Sequence, residues 1–146
     1  MKTLFNLYPP FLGTGITVKS ISRDFRHVRV EMKLRWYNSN YVKTHFGGSL
    51  YAMTDPFYMV MLMNILGSDY LVWDRSAFIE FIKPGKGTVH ADFLITEDQI
   101  SHLITATANG EKHLPEFSID ILDKDQTLVA RVMKQLYIKK KPGRPT

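Results

Sequence analysis

The segment Phe57-Tyr58-Met59-Val60-Met61-Leu62-Met63-Asn64-Ile65-Leu66 is apolar at every position but Asn64, and no other stretch constrains the fold as strongly. A helix lying on a protein surface carries a polar stripe; this one has none and must be enclosed. Each buried methylene is worth about 0.8 kcal/mol, so leaving one flank in water is costly. A sheet packed against the helix meets most of that demand. One sheet cannot cover every side, which points to a homo-oligomer, either a dimer or a dimer of dimers.

Strand patterns surround this segment. From His27 to Trp36 the residues alternate, with Val28, Val30, Met32, Leu34 and Trp36 on one face and Arg29, Glu31, Lys33 and Arg35 on the other. Further strands are expected over 16–23, 71–82, 88–95, 116–123 and 127–138, with a helical or irregular stretch over 97–108. Residues 1–8 read as a short helix or arm ended by Pro9 and Pro10. Ser49–Leu66 reads as one helix, about 27 Å long at 1.5 Å per residue. The expected fold class is α+β, with an antiparallel sheet of five to six strands wrapped around one long central helix. A single domain is expected over 1–138, followed by a basic, disordered tail over 139–146.

Charge and composition remove several classes of function. The net charge is +5, but Lys139, Lys140, Lys141 and Arg144 supply four of those charges within the acid-free last eight residues. The Gly143-Arg144-Pro145 step is like the core of a minor-groove-binding arm, but it occurs once and lacks a second arginine beside the glycine. A solvated tail is the favoured role, and nucleic acid is not an expected partner. The longest apolar run is too short for the roughly 20 residues a membrane helix needs, and the start, MKTLFNLYPPFLG, makes a poor signal peptide. A cytoplasmic protein without membrane contact is therefore expected. With no cysteine there is no disulfide, thiolate nucleophile or Cys-ligated metal. His90, His102 and His113 lack ligand-like spacing, so no metal is expected.

Asp55 is the one charged residue between His45 and Asp69. Two readings stand side by side. Asp followed by Pro56 suits a helix N-cap, whereas a carboxylate in apolar surroundings suits a general base or nucleophile. Met53, Met59, Met61 and Met63 fit core packing better than an acyl pocket. Tyr51 and Tyr58, seven apart, share a helix face and would border a ligand channel or a subunit contact.

The stretch Asn40-Tyr41-Val42-Lys43-Thr44-His45-Phe46-Gly47-Gly48-Ser49-Leu50-Tyr51-Ala52-Met53-Thr54-Asp55 resembles the signature of hotdog-fold acyl-CoA thioesterases. In the phenylacetyl-CoA and 4-hydroxybenzoyl-CoA thioesterase branches that signature is an Asn, a His-Gly-Gly step and a helical acid seven residues after the second Gly. Asn40, Gly47, Gly48 and Asp55 match this spacing, while Phe46 stands in the place of the histidine and His45 one residue earlier. Phe78-Ile79-Glu80-Phe81-Ile82-Lys83-Pro84-Gly85 is similar to the family's strand ending in a basic-Pro turn.

The resemblance implies a hotdog fold and hydrolysis of an acyl-CoA or another acyl thioester, with coenzyme A as part of the substrate and no separate cofactor. It assigns Asp55 as base or nucleophile, the Gly48 N–H to the developing oxyanion, and Asn40 to the positioning of substrate or water. Gly47, His45, Phe46, Tyr58 and Lys83 become candidate substrate contacts, Lys83 through the coenzyme A phosphates. Hotdog enzymes build such sites between protomers. With Phe46 and Met59 where relatives carry polar groups, a non-hydrolytic acyl or acyl-CoA binder is the alternative.

Overall fold

The computed structural model describes residues 1–143; Arg144 and Pro145 of the Gly-Arg-Pro step lie outside the described residues. Two short helices open the chain, α1 (Lys2–Asn6) and α2 (Pro9–Thr14). Pro9 and Pro10 thus begin a helix instead of ending one. A proline at the first helical position loses no bond, because its missing N–H has no acceptor there.

The sheet strands are β1 (Ile16–Ile21), β2 (His27–Lys33), β3 (Tyr70–Phe81), β4 (Thr88–Leu94), the two-residue β5 (Lys112–His113), β6 (Glu116–Asp123) and β7 (Leu128–Lys140). All pairings are antiparallel, in the order β1-β2-β4-β6-β7-β3, with β5 beside the end of β7. The expected alternation in β2 holds through Met32, with Val28, Val30 and Met32 buried, but Trp36 lies past the strand and is 88% exposed. At the other end of the chain β7 runs on to Lys140, and the Lys141 N–H donates to the Asp69 carbonyl. Lys139 and Lys140 therefore belong to the sheet and not to a tail.

The expected central helix is present as two pieces, α3 (Gly47–Ala52) and α4 (Phe57–Leu66). Pro56 has no N–H to donate and its ring collides with the carbonyl four residues back, which favours the observed break between Ala52 and Phe57. Phe57, Tyr58, Met61 and Leu62 of α4 are buried against inward residues of β1, β2, β4, β6 and β7 in one core, while Met63 is half exposed. A last helix, α5 (Glu97–Ala106), starts with a reciprocal cap between Thr96 and Gln99. No helix among the described residues is long and apolar enough to cross a membrane.

Candidate active site

Between β2 and α3 the chain makes a tight polar loop organised by Asn40. Its Oδ1 accepts the N–H groups of Val42 (3.1 Å) and Thr44 (3.0 Å), and its Nδ2 donates to Thr44 Oγ1 (2.8 Å) and to the His45 carbonyl (3.4 Å). The side chain expected to position substrate is thus spent on its own loop. Short polar side chains favour such local turns because they replace missing backbone partners.

His45 pins this loop to the turn after β3. Its N–H donates to the Gly85 carbonyl at 3.0 Å, and its Nε2–H to the Gly87 carbonyl at 2.9 Å. The imidazole is buried, which pushes its pKa down and disfavours the charged ring, against the partly opposing bond to Gly87. Nδ1 is then a buried acceptor with no partner. Gly85 must stay small here, since a Cβ would stand 3.0 Å from Val129 Cγ1 and 3.2 Å from His45 Cδ2.

Asn40, His45, Gly47 and Lys83 line one cleft of about 320 Å3, together with Thr44, Leu50, Phe81 and Pro84. Four of the expected site residues thus meet. Lys83 already has a partner there, its Nζ lying 2.6 Å from Asp123 Oδ2. Gly48 lies beside the cleft at the second position of α3, where an N–H has no acceptor inside the helix. The half-exposed Phe46 ring lies across it: a Cβ on Gly48 would come within 2.6 Å of Phe46 Cε1.

Tyr58 does not reach this region. It is buried, stacks on Phe117 with ring centroids 4.3 Å apart, and meets Phe93 edge-on at 5.4 Å. The break at Pro56 removes the face that Tyr51 and Tyr58 would have shared, sending Tyr51 to Asp55 and Tyr58 into the core.

Asp55 sits at the corner between α3 and α4 with its side chain 51% exposed. It is not a helix cap. Pro56 takes the N-cap position of α4, and no side chain caps that helix. Instead the Tyr51 hydroxyl donates to Asp55 Oδ1 at 3.0 Å. Burial, then the charge of Asp55 and this bond, push the Tyr51 pKa up to about 12, so the phenol stays a donor.

The second donor, missed in the sequence, is Lys134 of β7. Its ammonium lies 3.3 Å from Asp55 Oδ1 and 2.8 Å from Asp74 Oδ2 of β3, and it also donates to the Asp55 main-chain carbonyl. Lys134 is in phase with Ala130, Val132, Leu136 and Ile138, all buried. A lone lysine among the inward positions of an alternating strand was the signal that could have found it. Among the described residues, no cluster of three or more His, Cys, Asp or Glu side chains is placed to hold a metal.

The antiparallel sheet packed over a central helical segment has the architecture of the hotdog fold. Comparison with solved structures bears this out. A Pseudomonas aeruginosa protein of unknown function, described as a probable thioesterase, superposes with a TM-score of 0.82 at 15% identity, covering 95% of this chain and 93% of that one. A thioesterase from Haemophilus influenzae gives a TM-score of 0.68 at 12% identity over 98% and 91% of the two chains. The E. coli PaaI protein from the phenylacetic acid degradation operon gives 0.62 at 15% identity over 97% and 90%. Identities this low carry the fold and not the chemistry. Residues 1–138 match the family model described as Domain of unknown function (DUF4442), and the chain belongs to that family. A comparison with curated protein sequences finds no match.

Proposed function

We propose that the protein hydrolyses an acyl thioester of the acyl-CoA class, with Asp55 as the reacting carboxylate. One observation carries this reading. Asp55 is half exposed at a break in an otherwise apolar helical segment, and both of its carboxylate contacts, Tyr51 and Lys134, meet it at Oδ1. Oδ2 is the oxygen left to work on substrate.

As a general base, Asp55 takes a proton from water while the water oxygen bonds to the thioester carbon. The carbonyl electrons move to oxygen, where the Gly48 N–H stabilises the charge. Loss of such a donor costs on the order of a hundred- to a thousandfold in rate. The C–S bond then breaks as the carbonyl re-forms, and the thiolate leaves to be protonated.

The site is completed between two copies in this reading. β3 is a twelve-residue edge strand, paired on one side with β7, and a long exposed edge invites pairing with another chain. Leu71, Trp73, Phe78 and Phe81 along it are exposed, as is Met63 on α4. A second copy along this edge would cover them and bring another loop toward Asp55.

Release of free thiol from a panel of aliphatic and aromatic acyl-CoAs tests the proposal. Turnover by the wild type, lost in Asp55→Ala with the melting temperature retained, is the expected result. Absence of turnover with every substrate would remove it.

One observation favours the non-hydrolytic alternative. The Phe46 ring packs on the Cα side of Gly48, so an apolar side chain stands beside the residue whose N–H would serve the oxyanion. That reading expects saturable acyl-CoA binding without thiol release by the wild type.

A further inference from the structure

Lysine almost never sits in a core without partners, because stripping an ammonium of water costs several kcal/mol. Lys134 is fully buried, yet its three N–H groups find three acceptors: the Asp55 carbonyl, Asp55 Oδ1 and Asp74 Oδ2. Two of these belong to the corner where Pro56 interrupts the helix. The Asp55 carbonyl lies ahead of α4 and receives no main-chain N–H among the described residues, and Lys134 supplies its donor. The other end of the arrangement is β3, the edge strand, through Asp74.

We infer that Lys134 is the positioning residue of the site. It fixes both the main chain and the carboxylate of Asp55 and ties that corner to the edge strand. The inference deepens the hydrolytic reading and rests on it only for its kinetic consequence. Tyr51 from α3, Asp55 from the corner, Asp74 from β3 and Lys134 from β7 are the ionisable groups that meet here. Two carboxylates share one ammonium, and Asp74 Oδ1 is buried without a partner. Burial raises the Asp74 pKa and the charge of Asp55 adds to this, while the bond and charge of Lys134 hold it down.

The chain has no cysteine, so Lys134→Cys introduces a single thiol. Treated with 2-bromoethylamine in denaturant and refolded, it becomes the thioether analogue of lysine. The unmodified variant is expected to lose about a hundredfold in kcat, with KM within about twofold, as misplacing a reacting group does. Amide exchange at Thr54, Asp55 and Phe57 should quicken while α5 is unchanged, and aminoethylation should restore both properties.

Lys134→Met provides a second measurement. In carboxyl-labelled protein, the Asp74 titration, assigned with Asp74→Asn, should move further upward. An unchanged Asp74 titration, or wild-type exchange at the corner in Lys134→Cys, would overturn the inference. So would aminoethylation that restores neither property. If the wild type turns over no thioester, the hydrolytic reading falls alone, and the exchange and titration arms still decide whether Lys134 holds the corner.

Discussion

Leu62 and Met63 are neighbours on one apolar helix, and their environments differ enough to test both what the sheet covers and what it leaves open. Leu62 is 0% exposed and Met63 50% exposed in the single chain. Leu62→Ala removes about three methylene equivalents at about 0.8 kcal/mol each. With the residual cavity the cost is about 3 kcal/mol, inside the roughly 2–5 kcal/mol range for such truncations. In a domain of this size that lowers the melting temperature by about 6–12 °C.

Met63→Ala in an isolated chain loses less than about 1 kcal/mol, because half the side chain is already wet and alanine gains a few tenths in helix propensity. If a second copy covers this flank, the cost rises to about 2 kcal/mol and depends on protein concentration, since association adds to apparent stability. Urea denaturation of the three proteins at low and high concentration measures both effects. The expected result is a concentration-independent loss for Leu62→Ala and a concentration-dependent one for Met63→Ala. A Leu62→Ala cost below about 1 kcal/mol would refute the enclosed-helix argument. A Met63→Ala cost that ignores concentration would refute the covering copy.

Two further expectations concern the turn beneath the cleft. Gly85→Ala forces a Cβ against Val129 and His45, which are both buried and cannot swing away; overpacking of this kind costs about 1–3 kcal/mol, read as a fall in the urea midpoint. Asp123 is held down to a pKa of about 2, chiefly by its bond from Lys83 and then by the Thr127 N–H. Its folded value lies below the ordinary 3.8, so its contribution is complete above about pH 4 and is lost as pH falls toward 2. Lys83→Met should therefore destabilise the protein at pH 5 and flatten the fall in stability between pH 4 and 2; an unchanged acid limb would refute the pairing.

The strands were legible because their signal is local. Alternation in β2 marks the inward residues directly, and the Asp123–Gln126 turn marks the β6–β7 hairpin. The all-apolar segment announced the burial of one face, Phe57, Tyr58, Met61 and Leu62, while Met63 is half exposed in the single chain. What local pattern could not convey was competition for backbone groups. Pro56 was visible, but not that Asp55 would leave the next helix uncapped and meet Lys134, 79 residues away. The same holds for Asn40, whose amide is consumed by a loop that closes only after folding, and for Lys83, whose partner lies 40 residues later.

The corner at Asp55 also shows why an apolar helix and a polar site occur in one segment. Along an uninterrupted helix the accessible positions lie on the outer flank, as Met63 does in α4, and not beside the inward residues of the sheet. Breaking it at Pro56 frees backbone groups, which is unfavourable unless they find partners. A surface lysine could not supply one, because the break faces the sheet. The partner therefore comes from an inward position of β7, and its buried charge in turn requires acceptors. Asp55 meets that need with a carbonyl and one carboxylate oxygen, and Asp74 meets the rest. The side chain of Asp74 is the less exposed of the two acids, 23% against 51%, and it is there that burial drives the pKa up. The cost of the excess acid thus falls on the edge strand, and the oxygen left open to solvent is the one on Asp55.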